Sequence, residues 1–420
     1  MKPLKIGIFG FYRGGQLAES LLANNAEIVA VCESDPARLR AAKDKLGNVA
    51  LYTGFDEFIE HKGMEAVLLA NYFHEHAPYA IKALERNIHV LSECTSNGTM
   101  AEGVALVRAA ERRRGIYMLL ENYPYMEFNR EMYNVVRGGS LGEVMFAEGE
   151  YNHTSDPYAP DRRYTARLKP FAQHWRNLLP ATYYITHALA PLMRITGATP
   201  KRVSAYPVTL PYPEDQPLNG LYRSDRAAII TTQNDNRSVF RVTGCATFGY
   251  TESSYRICCS RGQIENIRGG DGRVMLNYNP WHVPEGLEES NYYKPAIEDP
   301  DQALIEKSSH GGGDFLVVRE FLRCIREGSR PEFDVYFATT CASVAILAHR
   351  SILNGNCAYD VPDFRKEEDR VKYENDWDTP FYGSDGSVPT IRAAADENVI
   401  NRRKIENYAK VIEEIKNYTP

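Results

Sequence analysis

A glycine-rich turn caught between two short apolar runs constrains this chain more than any other stretch. Lys5-Ile6-Gly7-Ile8-Phe9 reads as a buried strand, and Gly10-Phe11-Tyr12-Arg13-Gly14-Gly15 as a turn. Gln16 to Ala23 follows with Leu17, Leu21 and Leu22 at helical spacing. Ile28 to Cys32 is a second apolar run, closed by Glu33. Strand, glycine turn, helix, strand and acid make up the first unit of a dinucleotide-binding sheet. A pyrophosphate needs the unpaired N–H groups of a helix N-terminus, and glycine lets it approach them. In the G-x-G-x-x-G register Gly10 is first and Gly15 third, while Tyr12 fills the middle place that usually stays bare. Either the turn is rebuilt around Arg13, Gly14 and Gly15, or the unit has lost its nucleotide. Glu33 is expected at the adenosine ribose, which favours NAD over NADP. Arg38, early in the next helix, is the nearby cation that can soften this preference.

The alternation continues. Helices are predicted at 36–46, 77–86 and 100–114, and strands at 64–70, 88–91 and 116–120. Such βα alternation implies a parallel sheet covered on both faces, with ligands at the carboxyl ends of its strands. Those ends carry Gly10, Glu33, Asn71, Glu93 and Glu121. After Asn122 the character changes. A helix at 129–137 is followed by strands at 144–153, 203–209, 227–233, 239–248, 255–260 and 274–278, then helices at 314–326 and 339–353. The expected fold class is α/β: a doubly wound parallel Rossmann sheet, then an α+β domain with an open, mostly antiparallel sheet. The expected division is 1–121 for NAD binding, 122–362 for substrate and oligomerisation, and 363–420 for a polar extension with a terminal helix at 391–417. Arm-like packing on a neighbouring copy is one expectation for that extension.

Composition narrows the partners. A net charge of −6 argues against a nucleic-acid surface. No run approaches about 18 consecutive apolar residues, so no membrane span is expected. The first five residues lead straight into the first strand, so no secretory leader is expected either. Eight cysteines are scattered without a C-x-x-C, which reads as reduced thiols in a cytoplasmic protein with no metal site.

Several side chains suit proton handling at a carbinol carbon. Histidine titrates near neutral pH and serves as a base at a hydroxyl being oxidised. His187 and Tyr184 are three apart, on one face of a predicted helix. Tyr151 and His153 are two apart on a strand and share a side. Glu121 ends a strand. His310 precedes three glycines and Asp314, either as a site loop or as a helix entry. Trp175 and Arg176, on a loop ahead of His187, offer a platform for sugar or cofactor. Each of these also fits an ordinary packing role.

The N-terminal unit, the stretch Asn71-Tyr72-Phe73-His74-Glu75-His76 and the stretch Ser92-Glu93-Cys94-Thr95 resemble the Gfo/Idh/MocA family over roughly residues 3–355. The resemblance implies cofactor contacts at His76 and at Glu93, the latter on the nicotinamide ribose. That family usually has Lys-Pro where Cys94-Thr95 stand, and an aspartate where Tyr183 stands. Leu120-Glu121-Asn122, Glu150-Tyr151-Asn152-His153, Tyr184-Ile185-Thr186-His187 and His310-Gly311-Gly312-Gly313-Asp314 are similar to a branch, glycoside hydrolase family 109. The branch implies tightly held NAD and a redox-neutral cleavage of a glycoside. Net sugar oxidation and a non-catalytic dinucleotide- or sugar-binding protein stay open as alternatives. A homodimer or homotetramer is expected by the same resemblance.

Overall fold

The computed structural model describes residues 2–154, 173–209, 225–395 and 407–417. They form two compact units interleaved along the chain. The first takes Met1–Asn134, Lys294–Ala342 and Pro362–Trp377; the second takes Val135–Tyr293, Ser343–Val361 and Asp378–Pro420. The consecutive segments expected from the sequence, divided at 121 and 362, give way to a chain that leaves the first unit and returns to it twice.

The first unit contains β1 (Leu4–Phe9), α1 (Phe11–Ala23), β2 (Ala26–Cys32), α2 (Pro36–Leu46), β3 (Ala50–Tyr52), α3 (Phe55–Phe58), β4 (Ala66–Leu69), α4 (His76–Glu85), β5 (His89–Ser92), α5 (Met100–Arg112) and β6 (Tyr117–Leu119). Its six strands are parallel, in the order β3-β2-β1-β4-β5-β6. Strand order therefore reverses between β1 and β4. Every residue of β4 is buried, as a strand covered on both faces requires. Thr99 and Glu102 close a reciprocal capping box at the start of α5. The sequence does not announce β3 and α3. Three half-exposed residues carry no pattern, and α3 exists to pack Phe55 and Phe58 against Phe9, at ring separations of 4.9 and 6.5 Å.

Late segments complete this unit. The helix Gly313–Glu327 lies along α1. Arg326 donates to the carbonyls of Asn24 and Asn25, both at 2.9 Å, at the open C-terminal end of α1. Pro362–Trp377 is tied to α5, where Glu111 accepts from Arg370 and Tyr336, and Arg108 pairs with Glu367 and Glu374.

The second unit is built on a nine-stranded sheet: β7 (Val144–Asn152), β8 (Pro200–Thr209), β9 (Asp225–Asn234), β10 (Val239–Ala246), β11 (Glu252–Cys259), β12 (Gly262–Asn266), β13 (Val274–Tyr278), β14 (Ser290–Tyr293) and β15 (Tyr359–Asp360). The order is β14-β13-β12-β11-β7-β10-β9-β8-β15. Only β7 and β10 pair in parallel among these. The helix Thr186–Thr196 covers one face. It comes so close to β7 that a Cβ on Gly149 would lie 2.3 Å from the Ala188 carbonyl oxygen. The other face carries a cross-strand row, Glu265, Arg256, Glu148 and Arg241, with alternating sign. Opposite-charge neighbours of this kind contribute about 0.2–1 kcal/mol each and keep the face polar.

The terminal region differs from its expectation. Residues 391–395 are not helical, residues 396–406 lie outside the described residues, and the helix is Tyr408–Asn417. The terminal region makes contacts within its own unit. Asp225 accepts from the Ala395 N–H at 3.0 Å, Asn177 donates to the Tyr408 hydroxyl at 3.0 Å, and Phe381 meets Tyr183. Buried His349 donates from Nε2 to the Arg392 carbonyl at 2.6 Å. The helix that holds it, Val335–Leu353, is long and apolar enough to cross a membrane, yet 83% of that stretch is buried inside the protein, as in a core helix.

Burial pulls the His349 pKa from 6.5 down to about 4, with the Arg350 and Arg392 charges adding to the shift. The folded protein thus refuses a proton that the unfolded chain takes up as pH falls below about 6.5. This group should remove up to about 3 kcal/mol of stability between pH 6.5 and 4, at about 1.4 kcal/mol per unit. Urea titrations across that window should show the decline. A His349→Gln variant should show a flatter one, and an unchanged slope would contradict this account.

Candidate functional site

In the first unit the glycine turn has the geometry a nucleotide needs. Gly10 has φ +88°, and a Cβ there would lie 2.3 Å from the Ala70 carbonyl oxygen. A Cβ on Gly14 would lie 2.4 Å from the Ile8 side chain, whereas one on Gly15 would meet only the Phe11 ring, at 3.2 Å. The glycine that lets α1 pack closely on β1 is therefore Gly14, and the third-glycine role expected of Gly15 moves to it. Tyr12 does not fill the turn. It is 69% exposed, and the Arg38 guanidinium lies 5.2 Å from its ring centre.

Glu33 is buried at the end of β2. Its carboxylate accepts from the Phe11 N–H at 2.9 Å and the Asp35 N–H at 3.0 Å, with Arg38 at 4.0 Å. The acid thus sits against the N-terminus of α1, where the helix dipole favours it. His76 is buried: Nδ1 donates to the Thr95 carbonyl at 2.8 Å, and burial lowers the ring's pKa. It ties the loop after β4 to the loop after β5. The Asn71 side-chain amide makes a long contact within its own loop, 3.4 Å to the Glu75 carbonyl.

A second cluster gathers beyond β5 and β6. Glu93 accepts from Arg13 Nε at 2.6 Å, and the Cys94 thiol lies 3.7 Å from Glu93 and 3.8 Å from buried Glu121. Asn122 donates to Asp314 at 2.6 Å, and His310 Nδ1 lies 3.2 Å from the same carboxylate. Arg13, Glu93, Asn122 and His310, all named in the sequence, thus converge through Asp314, which the sequence offers as a helix entry and as the end of a stretch similar to family 109. An acid four residues after His310 was the available signal.

The second unit holds the histidine–tyrosine cluster. His187 Nε2 lies 3.2 Å from the Tyr184 hydroxyl. The Tyr151 ring stands nearly perpendicular to His187, Tyr184 and His153, at 4.8, 5.5 and 5.9 Å between ring centres. The helix begins at Thr186, so Tyr184 meets His187 from the turn before it, not from a shared helix face as expected. Tyr255, fully buried on β11, donates its hydroxyl to the His187 carbonyl and pins the first turn. Tyr183, at the position of the family aspartate, is core: its ring packs on His349 and Phe381. Trp175 and Arg176 lie on a short helix, Trp175–Leu178, not on a loop. The guanidinium stacks 4.4 Å from the Trp175 ring, and Trp175 is itself buried.

Sheet order, glycine turn and paired acids after β2 and β5 define the first unit as a dinucleotide-binding domain, and residues 4–120 match the family described as "Oxidoreductase family, NAD-binding Rossmann fold". Residues 281–370 match "Glycosyl hydrolase 109, C-terminal domain". Over these two stretches the chain is similar to the NAD-binding domain of the Gfo/Idh/MocA oxidoreductases and to the C-terminal domain of glycosyl hydrolase 109. Among its relatives, glycosyl hydrolase family 109 protein 1 of Phocaeicola vulgatus is 24% identical over 406 residues, covering 87% of this chain and 85% of its own length. The family 109 protein of Porphyromonas gingivalis is 23% identical over 412 residues, with 89% and 87% covered. A levoglucosan dehydrogenase solved with NADH and levoglucosan shares the fold, with TM-score 0.71 at 16% identity over 86% of this chain and all of that one. The myo-inositol 2-dehydrogenase of Lactobacillus plantarum gives TM-score 0.63 at 17% identity, with 86% and 100% covered.

The residues present fit NAD. Gly10 and Gly14 keep the turn tight, the first N–H groups of α1 have no partner within their own helix, and Glu33 and Glu93 put one carboxylate at the end of β2 and one at the end of β5, where the two riboses of NAD would lie.

Proposed function

We propose that this protein is an NAD-dependent carbohydrate enzyme that cleaves glycosides without net oxidation. The observation that carries the reading is the 3.2 Å pairing of His187 with the Tyr184 hydroxyl, backed by Tyr151. It stands on a chain that has Cys94 and Thr95 where resembling dehydrogenases carry Lys-Pro. The names of the relatives, glycosyl hydrolases and sugar dehydrogenases, support a sugar substrate.

Bound NAD would take a hydride from a sugar carbinol carbon and later return it. The work of this chain's residues is with protons. His187 takes the hydroxyl proton as the carbon becomes a ketone. The ketone makes the neighbouring C–H acidic, and the Tyr184–His187 pair accepts that proton. The glycosidic oxygen leaves with its bonding electrons and is protonated as the alcohol. Water then adds across the new double bond, and His187 returns a proton to the reduced hydroxyl. The sum is glycoside plus water giving sugar plus alcohol.

Dialysed enzyme should therefore turn over members of a nitrophenyl glycoside panel with no nucleotide in the buffer. In deuterated water, deuterium should enter the carbon next to the oxidised one. Stoichiometric NADH from free sugars without deuterium uptake would replace this reading with a net dehydrogenase. Nucleotide binding with no turnover at all would leave only a binding protein.

A further inference from the structure

Glu93 follows β5, on the far side of the β1/β4 reversal from Glu33. In a sheet of this order the adenosine half of a dinucleotide lies along β1–β3 and the other nucleotide along β4–β6. Glu93 is therefore placed by topology for the nicotinamide-side ribose. A carboxylate at a strand end can turn about its side-chain bonds, and what holds this one comes from elsewhere. Arg13 Nε donates to Glu93 at 2.6 Å, and its two terminal nitrogens donate to the two oxygens of Asp314, each at 2.8 Å. A fork of this kind fixes the plane of the guanidinium as well as its distance. Asp314 is 1% exposed and also accepts from Asn122, His310 and Ser309. Burial by itself would raise its carboxyl pKa, but the bonds from His310 and Arg13 and the Arg13 charge hold it well below the usual carboxylate range. All three nitrogens of Arg13 are directed at carboxylates, so its role differs from the phosphate-facing one its place in the turn suggests.

We propose that Asp314 and Arg13 are positioning residues for the nicotinamide-side ribose: Asp314 fixes the plane of Arg13, and Arg13 fixes the Glu93 carboxylate in the orientation that receives the ribose hydroxyls. The inference needs only nucleotide binding by the first unit, to which Asp314 belongs, and is independent of the sugar chemistry.

ADP and ADP-ribose separate this role from simple support of the turn, because ADP lacks the second ribose. The full chain, freed of copurified nucleotide, is titrated with each by calorimetry. Asp314→Asn, which keeps the shape and breaks the fork, should weaken ADP-ribose by about ten- to hundredfold, the worth of one charge-assisted bond, and leave ADP unchanged. Arg13→Lys, which keeps the charge and loses the fork, should repeat the pattern and serves if Asp314→Asn does not fold. Combined with Glu93→Gln, Arg13→Lys should add nothing further, since both act through one carboxylate. Equal losses for ADP and ADP-ribose, additive losses in the double variant, or unaltered ADP-ribose binding would each overturn the proposal.

Discussion

His187→Ala is expected to lower turnover by about 10²- to 10⁴-fold, the usual worth of a positioned general base, while NAD affinity stays at the wild-type value. The ring is held on two sides. Its Nε2 faces the Tyr184 hydroxyl, and its own carbonyl is bonded by Tyr255. Losing the imidazole therefore removes the proton acceptor without moving the helix start. Tyr184→Phe keeps the ring that packs edge-on against Tyr151 and removes only the hydroxyl. It should cost less than His187→Ala and leave the melting temperature nearly unchanged. The check is steady-state turnover on a cleaved glycoside, with NAD binding measured in parallel. If NAD binding falls together with turnover, His187 is a packing residue and the assignment fails.

NAD should bind more tightly than NADP by about a hundred- to a thousandfold. A 2′-phosphate brought within about 4 Å of the Glu33 carboxylate meets roughly 4 kcal/mol of repulsion per unit charge at an effective dielectric near 20. Arg38, 4.0 Å from Glu33, offsets part of this, but it is also engaged by Asp35 at 3.5 Å. Glu33→Gln retains an oxygen for the Phe11 N–H and removes the charge, so the preference should shrink sharply in that variant. Calorimetry with both nucleotides decides it. Equal affinities in the wild type would show that Glu33 does not face the ribose.

How far such expectations could be read from the sequence depended on how local their cause is. The run from Lys5 to Glu33 was legible because strand, turn, helix and acid follow one another within a few residues, each with its own period. The meeting of Tyr184 with His187 was legible for the same reason, although the helix starts too late to supply the face that was expected. Which glycine packs on β1 was not legible, because the choice between Gly14 and Gly15 depends on which Cβ would strike Ile8. Trp175 looked free because nothing in its immediate sequence announces its burial. β12 offers a single large apolar residue, Ile264, and β14 and β15 lack the length for alternation to stand out. Asp314 was least legible of all: its chemistry lies in partners brought together by the fold, and an aspartate beside glycines at a helix start invites a purely local explanation.

That distance has a consequence in time. Arg13 and Asp314 are 301 residues apart in the chain. At about 5–20 residues per second, a ribosome needs roughly 15–60 s to make the second after the first. During that interval the glycine turn exists without its anchor, and α1 without the helix that lies along it. A nascent chain halted anywhere before residue 314 should therefore hold its first strand and helix only loosely, exposed to proteases and chaperones. The segment most readily recognised in the sequence would then be among the last parts of the molecule to become fully ordered.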